Sequence, residues 1–568
     1  MKLEVKPEGD IENKINYKPI LPGPENWPVV QLSRNRKSFI QEVIAESIRR
    51  VKSSSNHKNS LIEELETTLY RESLRIRNNP WRVDPADEAS FWREIKTKLV
   101  HISNDPENSK YAEEDILEEI VSRYAHEIAG NFNPSSYRMA RSLVTFGFSR
   151  LLNAARVKGF RSLWSTQLKL GDKIQITGET DQIRNLAKIG TVIMVPTHFS
   201  NLDSVLIGWV IHSLGLPPFI YGAGLNLFNI EVLAYFMNSL GAYKVDRRKK
   251  NSPYLETLKT YSSLAIQKGC HSLFFPGGTR SRSGKIESNL KLGLLGTAME
   301  AQRINYQKNP DGEARKIFIV PVTLNYHFVL EAPVLINEYL KMKGQERYYV
   351  ETDEYSTSFK ITTFLIKFFT KGSDISVSIG KGMDILGNYV DDAGNSLDAQ
   401  GRIINTCDYF ITNGIITKDK QREEEYTRML GKAIVQEFKK INRIFSSHLV
   451  AYTAFYLLRK QNPKLDLFSI LRLPEEEQVI KYEDFKSCFS KLRDIVFKMH
   501  QQGLVGLAPH MKKEVDEVIR HGITNVGMYH IKRPLIFTES GDITTQDLNT
   551  LFYYHNRMKG YGLQKHIR

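Results

Sequence analysis

The chain is 568 residues long, too long for one ordinary domain, and its 41% hydrophobic and 25% charged residues are close to the averages of folded globular proteins. This composition excludes a wholly disordered or fibrous protein. The formal net charge of +15 favours anionic partners, whether lipid surfaces, nucleic acid, acidic carrier proteins or phosphorylated metabolites.

Sequence features narrow the choice of partner and compartment. The three cysteines form no C-x-x-C pair, which argues against a disulfide framework and against a cysteine zinc site. No zinc-finger spacing or aromatic RNA-binding strand accompanies the positive charge, so we expect no nucleic-acid partner. The N-terminus lacks the apolar segment of a secretory signal, and no stretch has the roughly 18 apolar residues of a spanning helix. We therefore expect a cytoplasmic protein that meets lipid only at a membrane surface.

The first part of the chain has a helical pattern. Residues 1–30 are polar and rich in proline, which predicts a loosely ordered arm. Within 31–140, apolar residues recur every three or four positions among charged ones, which predicts a helical N-terminal region.

Residues 141–415 alternate short apolar runs with helical stretches. The runs TVIMVP (191–196), SLFFP (272–276) and IFIVPVTL (317–324) are typical of buried strands, and DISVSIGKGMDIL (374–386) predicts one more strand near the sheet edge. Strands separated by helices such as SVLIGWVIHSL predict an α/β fold with crossover connections. Residues 416–568 return to a helical pattern and predict a helical C-terminal domain.

The segment TVIMVPTHFSNLDS carries the strongest local signal. Its apolar run stops at Pro196, and His198 and Asp203 follow with four residues between them. A histidine suits general-base work on a hydroxyl, and a carboxylate on its other ring nitrogen fixes the tautomer and stabilises the imidazolium. The same letters also match a helix start, with Ser200 as N-cap and Asp203 three residues later, which needs no catalysis.

The segment LFFPGGTRSRSGK opens from a strand into a loop rich in glycine and arginine. Glycines let backbone N–H groups turn inward as an anion-binding nest, and arginines offer forked donors that match phosphate oxygens. A solvated basic turn is the alternative. The loop is not a Walker phosphate loop, because Ile286 stands where Ser or Thr should follow the lysine. The residues of the predicted phosphate-binding loop are Gly278, Thr279, Arg280, Ser281 and Arg282.

A third segment, LGAYKVDRRKK, places Arg247 and Arg248 after a short strand-like run. Taken alone it is a weak signal, because basic surface runs are usually solvated.

Taken in order, these segments resemble the four blocks of the glycerophospholipid acyltransferase family. The blocks are H-x4-D from His198 to Asp203, G-x5-R from Gly241 to Arg247, F-P-x-G-T-R-S-R-S-G from Phe275 to Gly284, and the strand VPV from Val320 to Val322. Further on, VPVTLNYHFVLEAP, GKGMDILGNYVDDAGNSLD and LFYYHNRMKGYGL are similar to the larger glycerol-3-phosphate and dihydroxyacetone-phosphate acyltransferases.

The resemblance implies an acyltransferase fold, with a central mixed sheet flanked by helices. It implies transfer of a fatty acyl group from a thioester, acyl-CoA or acyl carrier protein, to a hydroxyl of glycerol 3-phosphate. His198 would deprotonate that hydroxyl and Asp203 would orient the histidine. No metal or redox cofactor is needed. The acceptor phosphate would be held by Arg247 and Arg280, with the backbone of Gly278 and Thr279.

The sequence departs from the family pattern in two blocks. Gly277 stands where the third block normally has glutamate, and Lys244 stands where an aromatic residue is common. The missing carboxylate is compatible with a shifted acceptor preference, with another group in its role, or with reduced activity.

Two stretches have the composition of interfacial helices. Residues 142–164 and 358–372 combine apolar and aromatic side chains with Arg or Lys and no acid, which predicts contact with an anionic membrane surface. The first equally fits a helix packed on the sheet.

Other functions also stay open: an acyltransferase acting on lysophosphatidate or dihydroxyacetone phosphate, or a weakened relative that binds lipid or acyl carriers as a scaffold.

Overall fold

The structure, a computed structural model, describes residues 17–55, 60–104, 109–139, 142, 174–225, 240–309, 314–344 and 375–567. Apart from residue 142, the stretches 142–164 and 358–372 lie outside these ranges, and their contact with lipid stays a prediction. The boundaries of the four predicted regions stay predictions as well.

The N-terminal region is helical, as the periodicity predicted. Its helices turn Val43, Leu65, Ile95 and Leu117 inward, and none of these side chains keeps measurable exposure. Amphipathic spacing of this kind buries one face of each helix against its neighbours. The helices are α1 (Pro28–Arg34), α2 (Arg36–Ser55), α3 (Leu61–Asn78), α4 (Glu88–Asn104) and α5 (Ser109–Ile128).

A seven-stranded mixed sheet forms the centre of the molecule, with strand order β1-β7-β6-β2-β5-β3-β4. Strands β2 to β6 run parallel, while β7 is antiparallel to β6 and parallel to β1. The predicted α/β class with a mixed sheet is confirmed. The strands are β1 (Ile174–Gly178), β2 (Thr191–Pro196), β3 (Ile220–Gly224), β4 (Ala242–Val245), β5 (Ser272–Leu273), β6 (Ile317–Tyr326) and β7 (Ile375–Ile379).

Helices cover both faces of this sheet. Val192 and Met194 of β2 pack into one hydrophobic layer, and Ile193 and Val195 pack into the other, as the alternation of side chains along a strand requires. Because both faces are covered, β2 and β6 are buried at every position, which explains their unbroken apolar runs. The helices of this layer are α6 (Thr180–Ile189), α7 (Asp203–Ser213), α8 (Ser252–Gln267), α9 (Leu292–Lys308) and α10 (Ala332–Lys343).

The predicted strands agree with the structure at β2 and β6, but the strand predicted over 272–276 is too long. The observed β5 ends at Leu273, and the chain then turns into the glycine-rich loop. Pro276 has no N–H to donate to a neighbouring strand, which fits this early end. The parallel arrangement brings the carboxyl ends of β2, β4 and β5 to one edge of the sheet, with β5 next to β2 and β4 three strand positions away.

The C-terminal region is helical and shares its core with the sheet. Helix α12 is buried along most of its length, and one hydrophobic cluster joins it to the sheet face that carries Val192. The helices are α11 (Lys420–Ile441), α12 (Ser446–Gln461), α13 (Leu467–Ile470), α14 (Tyr482–Gln501), α15 (Val515–Asn525) and α16 (Leu548–His555). Two-residue strands pair Ser396–Leu397 with Ile403–Ile404, Ile411–Thr412 with Ile415–Ile416, Arg443–Ile444 with Gly506–Leu507, and Ile536–Phe537 with Ile543–Thr544.

Among the helices in the described ranges, none combines the length and the hydropathy that crossing a bilayer requires.

Candidate active site

His198 and Asp203 meet at the carboxyl end of β2. The imidazole Nδ1 lies 2.9 Å from Asp203 Oδ2. The same oxygen accepts hydrogen bonds from the backbone N–H groups of Phe199 at 2.6 Å and Ser200 at 3.0 Å. The predicted helix start at Ser200 is wrong, because the helix begins at Asp203 with Leu202 as its N-cap. The bond from the Ser200 N–H to Asp203 therefore closes the turn that precedes the helix.

The carboxylate of Asp203 is fully buried and bonded through both oxygens. Tyr326, the last residue of β6, donates its hydroxyl to Asp203 Oδ1 at 2.5 Å. An ionised carboxylate only accepts hydrogen bonds, so His198 donates Nδ1–H and carries its lone pair on Nε2. The His198 side chain keeps 14% of its surface exposed and stacks on Phe275, with ring centroids 4.0 Å apart. A substrate can therefore reach the ring.

The loop after β5 holds the main chain of His198 from two sides. The backbone N–H of Ser281 donates to the His198 carbonyl at 2.8 Å. The His198 N–H in turn donates to Glu287 Oε1 at 2.9 Å. Gly278 and Gly284 adopt left-handed φ angles of 77° and 79°, which favour glycine. The Gly278 N–H closes a turn onto the Phe275 carbonyl at 3.0 Å, so this predicted phosphate donor is already engaged.

Arg280 lies beside the loop that carries His198 and Asp203, and both contact the carboxylate of Glu331. Its Nη1 is 3.3 Å from Glu331 Oε1, and its side chain is 19% exposed. Glu331 also accepts from the Ser200 hydroxyl at 3.0 Å and from the Asn201 N–H at 2.9 Å. Because a guanidinium carries five N–H donors, Arg280 can contact this carboxylate and a phosphate together. Its neighbour Arg282 pairs with Glu338 of α10 at 2.9 Å.

Arg247, the arginine of the second block, lies farther from His198 than Arg280 does. Arg247 is exposed just after β4, which lies three strand positions from β2, or roughly 14 Å across the sheet. The structure thus places Arg247 at the same sheet edge as His198 but not beside it. The neighbouring cations face the N-terminal helices: Arg248 pairs with Asp84 and stacks 3.9 Å over Trp81, and Lys249 bonds Glu127 at 2.5 Å.

Four contributors to the site were not predicted as site residues: Glu287, Tyr326, Glu331 and Arg557. Tyr326 and Glu331 fall in VPVTLNYHFVLEAP and Arg557 falls in LFYYHNRMKGYGL, two segments noted for their family likeness. That likeness was a signal for Tyr326, Glu331 and Arg557, whereas Glu287 lies in neither segment. It gave no role, because the partners of these residues are far away in sequence.

Arg557 brings the C-terminal region to the site. It lies in the turn after α16, with its guanidinium 3.4 Å over the Phe199 ring, and its Nη2 donates to the Leu324 carbonyl and to Asn325 Oδ1. Its guanidinium is also close enough to Glu287 to favour the charged form of that carboxyl. The C-terminal region thereby contacts the loop that carries His198 and Asp203.

Burial acts strongly on Glu287. Desolvation raises the pKa of its carboxyl to about 7, with Asp203 adding to the rise and Arg557 opposing it. Its Oε2 is buried and has no hydrogen-bond partner among the described residues, and the same holds for Tyr553 Oη and Arg557 Nε.

Three histidines behind Tyr326 form the one group in the described ranges with metal-ligand spacing. Ring nitrogens of His327, His510 and His521 lie within 4.8 Å of one another. However, His510 Nε2 accepts a hydrogen bond from the Ser446 N–H at 3.0 Å, which leaves its proton on Nδ1. In this arrangement His510 has no lone pair left for a metal, so the group offers at most two ligands.

Comparisons with known proteins point to one family. Residues 176–325 match the family model Acyltransferase. Glycerol-3-phosphate acyltransferases are similar: that of Pseudoalteromonas translucida is 31% identical over 38% of this chain and 23% of its own length, and that of Aeromonas hydrophila is 28% identical over 39% and 24%. That of Shewanella sp. (strain ANA-3) is 26% identical over 49% of this chain and 31% of its own length. The chain thus spans about a quarter to a third of the curated relatives it matches.

Among solved structures, the 1-acyl-sn-glycerophosphate acyltransferase PlsC from Thermotoga maritima is similar. It covers 54% of this chain and 93% of its own, at 14% identity and a TM-score of 0.25. The resemblance predicted from the four blocks is confirmed by the family model and the relatives.

The raised pKa of Glu287 predicts a pH-dependent stability. Between about pH 4.5 and 7 the folded protein holds a proton on Glu287 that the unfolded chain has released, so this residue makes the free energy of unfolding fall as pH rises. We expect Glu287→Gln, which cannot ionise, to gain stability relative to the wild type over that window. Denaturant unfolding of both proteins at several pH values measures the difference.

Buried histidines such as His327 and His448 have lowered pKa values and contribute the opposite slope, but they are common to both proteins and cancel. A stability difference that stays constant across the window would show that Glu287 titrates normally.

Proposed function

We propose that the protein transfers a fatty acyl group from a thioester to a hydroxyl of glycerol 3-phosphate, a step of phospholipid synthesis, because residues 176–325 match the family model Acyltransferase. The observation that carries the proposal is the His198–Asp203 pair, with the imidazole partly exposed and Arg280 held beside the same loop. The relatives named glycerol-3-phosphate acyltransferase support the choice of acceptor.

The geometry suits general-base catalysis. His198 Nε2 removes the proton of the acceptor hydroxyl while that oxygen attacks the thioester carbonyl. The tetrahedral intermediate then collapses, the carbon–sulfur bond breaks, and the thiolate takes the proton from the imidazolium. The buried Asp203 carboxylate stabilises the imidazolium between these two steps. The products are an acylated glycerol phosphate and a free thiol, with no metal or redox cofactor needed.

The acceptor phosphate is assigned to the loop after β5. Arg280 contacts it through forked, charge-assisted hydrogen bonds, with Thr279, Ser281 and Arg282 lining the same loop. Arg247 contributes from the sheet edge as a longer-range positive charge. Glu331 holds Arg280 against the His198 loop, which fixes the distance from phosphate to base.

The donor and the location complete the proposal. Acyl-CoA and acyl carrier protein are both anionic, so a chain of net charge +15 attracts either. The same charge favours a peripheral position on an anionic membrane surface at the cytoplasmic side, where the acyl product is delivered. An assay of the purified protein with both donors, and with glycerol 3-phosphate, dihydroxyacetone phosphate and lysophosphatidate as acceptors, tests the activity directly.

Replacing the base should abolish transfer. We expect His198→Ala to lower kcat by about 10²- to 10⁴-fold with the fold retained, because a positioned general base contributes that much. Asp203→Asn should also lose most activity. The exposed His126→Ala on α5 serves as a control and should keep wild-type rates. Initial rates and circular dichroism check these outcomes, and near-normal turnover of His198→Ala would rule out the mechanism.

Arg280→Lys tests the phosphate role, since lysine keeps the charge but loses the fork. We expect the acceptor KM to rise and kcat to fall, with kcat/KM lower by about tenfold or more, because a hydrogen bond to a charged group contributes about 1.5–3 kcal/mol. The donor KM should change little, and the loss should shrink with glycerol as acceptor. Steady-state kinetics for both substrates measure this.

Arg402→Lys is a matched control for this substitution, because Arg402 is surface-exposed and pairs only locally with Asp398. Unchanged acceptor kinetics in Arg280→Lys would remove the phosphate role. Equal losses for phosphorylated and unphosphorylated acceptors would instead assign Arg280 to holding the loop.

Membrane attachment predicts salt-sensitive binding to vesicles. We expect the protein to sediment with vesicles containing anionic lipid and to be released by high salt. Replacing Phe364, Leu365 and Phe368 by serine should weaken sedimentation. Ile531→Ser, at a fully exposed apolar residue elsewhere, should not. Equal, salt-independent sedimentation with neutral and anionic vesicles would contradict the proposal.

A further inference from the structure

Glycine stands at position 277 because a neighbouring side chain leaves no room for a Cβ, and not because the backbone needs a left-handed φ. Its φ lies outside the left-handed region, unlike that of Gly278 next to it. A Cβ built on Gly277 would lie 3.0 Å from Glu287 Cγ and 3.2 Å from Glu287 Oε1. The side chain of Glu287 therefore occupies the place that a side chain at position 277 would take.

The carboxylate of Glu287 accepts a hydrogen bond from the main chain of His198. Glu287 Oε1 accepts the His198 N–H at 2.9 Å, while the Ser281 N–H holds the His198 carbonyl at 2.8 Å. The main chain of His198 is thus fixed before and after its Cα by one loop. Asp203 fixes the ring itself, so the histidine is held at three points.

We propose that Glu287 is a positioning residue of this active site, which supplies from later in the loop the carboxylate that the family's third block carries at position 277. The inference rests on the proposed acyl transfer. It also accounts for the departure at Gly277: the chain keeps a carboxylate beside the base and has moved the residue that bears it.

The groups around Glu287 make its positioning role depend on pH. Asp203 and His198 face it from the β2–α7 loop, and Arg557 faces it from the C-terminal region, near Tyr553. Burial raises the pKa of Glu287 to about 7. An ionised carboxylate accepts the His198 N–H more strongly than a protonated one, so protonation of Glu287 loosens the backbone beneath the base.

The structure contains a matched control for this arrangement. A Cβ built on Gly380 would lie 3.0 Å from Glu437 Cγ and 3.2 Å from Glu437 Oε1, and Glu437 Oε1 accepts the Lys381 N–H at 3.2 Å. Gly380 and Glu437 thus repeat the two Cβ distances found at Gly277. Glu437 lies on α11 and accepts hydrogen bonds from Lys381 and Tyr389, neither of which is assigned to catalysis or binding.

The first test compares single variants at the two glutamates. Glu287→Ala removes the support of His198 and should lower kcat by about 10²-fold with little change in either KM, because a small displacement of the base is enough for such a loss. Glu287→Gln keeps an oxygen for the His198 N–H and the side-chain volume, so its kcat should fall by less than tenfold. It should also remove one ionisation near neutral pH from the kcat profile. Glu437→Ala and Glu437→Gln should keep kcat and its pH profile.

The second test moves the carboxylate back. Gly277→Glu alone places two carboxyl groups in one space and should lower both kcat and stability. The double variant Gly277→Glu/Glu287→Ala vacates that space and should recover kcat to within about tenfold of the wild type. Recovery of kcat in the double variant supports the inference that the side chains of residues 277 and 287 put a carboxylate in the same position. A double variant no better than the product of its two single variants overturns it, as does Glu287→Ala with kcat within twofold of the wild type.

Unfolding separates this inference from the proposed function. If the wild type transfers no acyl group with any donor and acceptor, the proposed function is overturned. Denaturant unfolding of Gly277→Glu, Glu287→Ala and the double variant still tests the inference. If the changes in the free energy of unfolding are not additive, the two side chains share one position for the carboxylate; if they are additive, the inference is overturned.

Discussion

The site depends on one buried charge, the carboxylate of Asp203. Moving an ionised carboxylate away from water is costly unless hydrogen bonds replace the lost hydration. Here four donors do so: the His198 ring, the N–H groups of Phe199 and Ser200, and the Tyr326 hydroxyl. Three of the four come from the turn between β2 and α7, so the turn can form locally. The fourth requires β6 to be in register beside β2, which links the local turn to the sheet.

The elements around this turn come from distant parts of the chain, and each has a physical reason to be there. Glu331, just before α10, accepts hydrogen bonds from the turn and pairs with Arg280. Arg557 stacks on Phe199 and bonds the end of β6, while the Asn556 amide donates to the Ser283 carbonyl at 2.9 Å. The C-terminal region therefore contacts both the β2–α7 loop and the glycine-rich loop after β5, and a chain ending before α16 would leave them without this support.

The sequence predicted the parts of this arrangement that are local. β2 and β6 were visible as apolar runs because both sheet faces are covered, and His198 and Asp203 were visible because their spacing spans one turn. The strand at 272–276 was predicted too long, because an apolar run does not show where the strand ends: Phe274 still packs into the sheet-face cluster, and Phe275 stacks on His198. Glu287 could not be predicted as a site residue, and the roles of Tyr326 and Arg557 could not be predicted although both lie in segments that resemble the family. Their roles come from contacts across 89 to 233 positions, which only the folded sheet creates.

Charge pairing also decides which cations remain for an anionic substrate. Arg248 and Lys249 neutralise Asp84, Asp246 and Glu127 at the contact between β4 and the N-terminal helices. Removing one partner of such a buried pair leaves an uncompensated charge, so a phosphate that drew either cation away would weaken this contact. Arg280 is different, because Glu331 stays bonded to Ser200 and Asn201 whether or not Arg280 shifts toward a ligand. The cation best able to turn to a phosphate is therefore the one already tied, through Glu331, to the loop that carries His198.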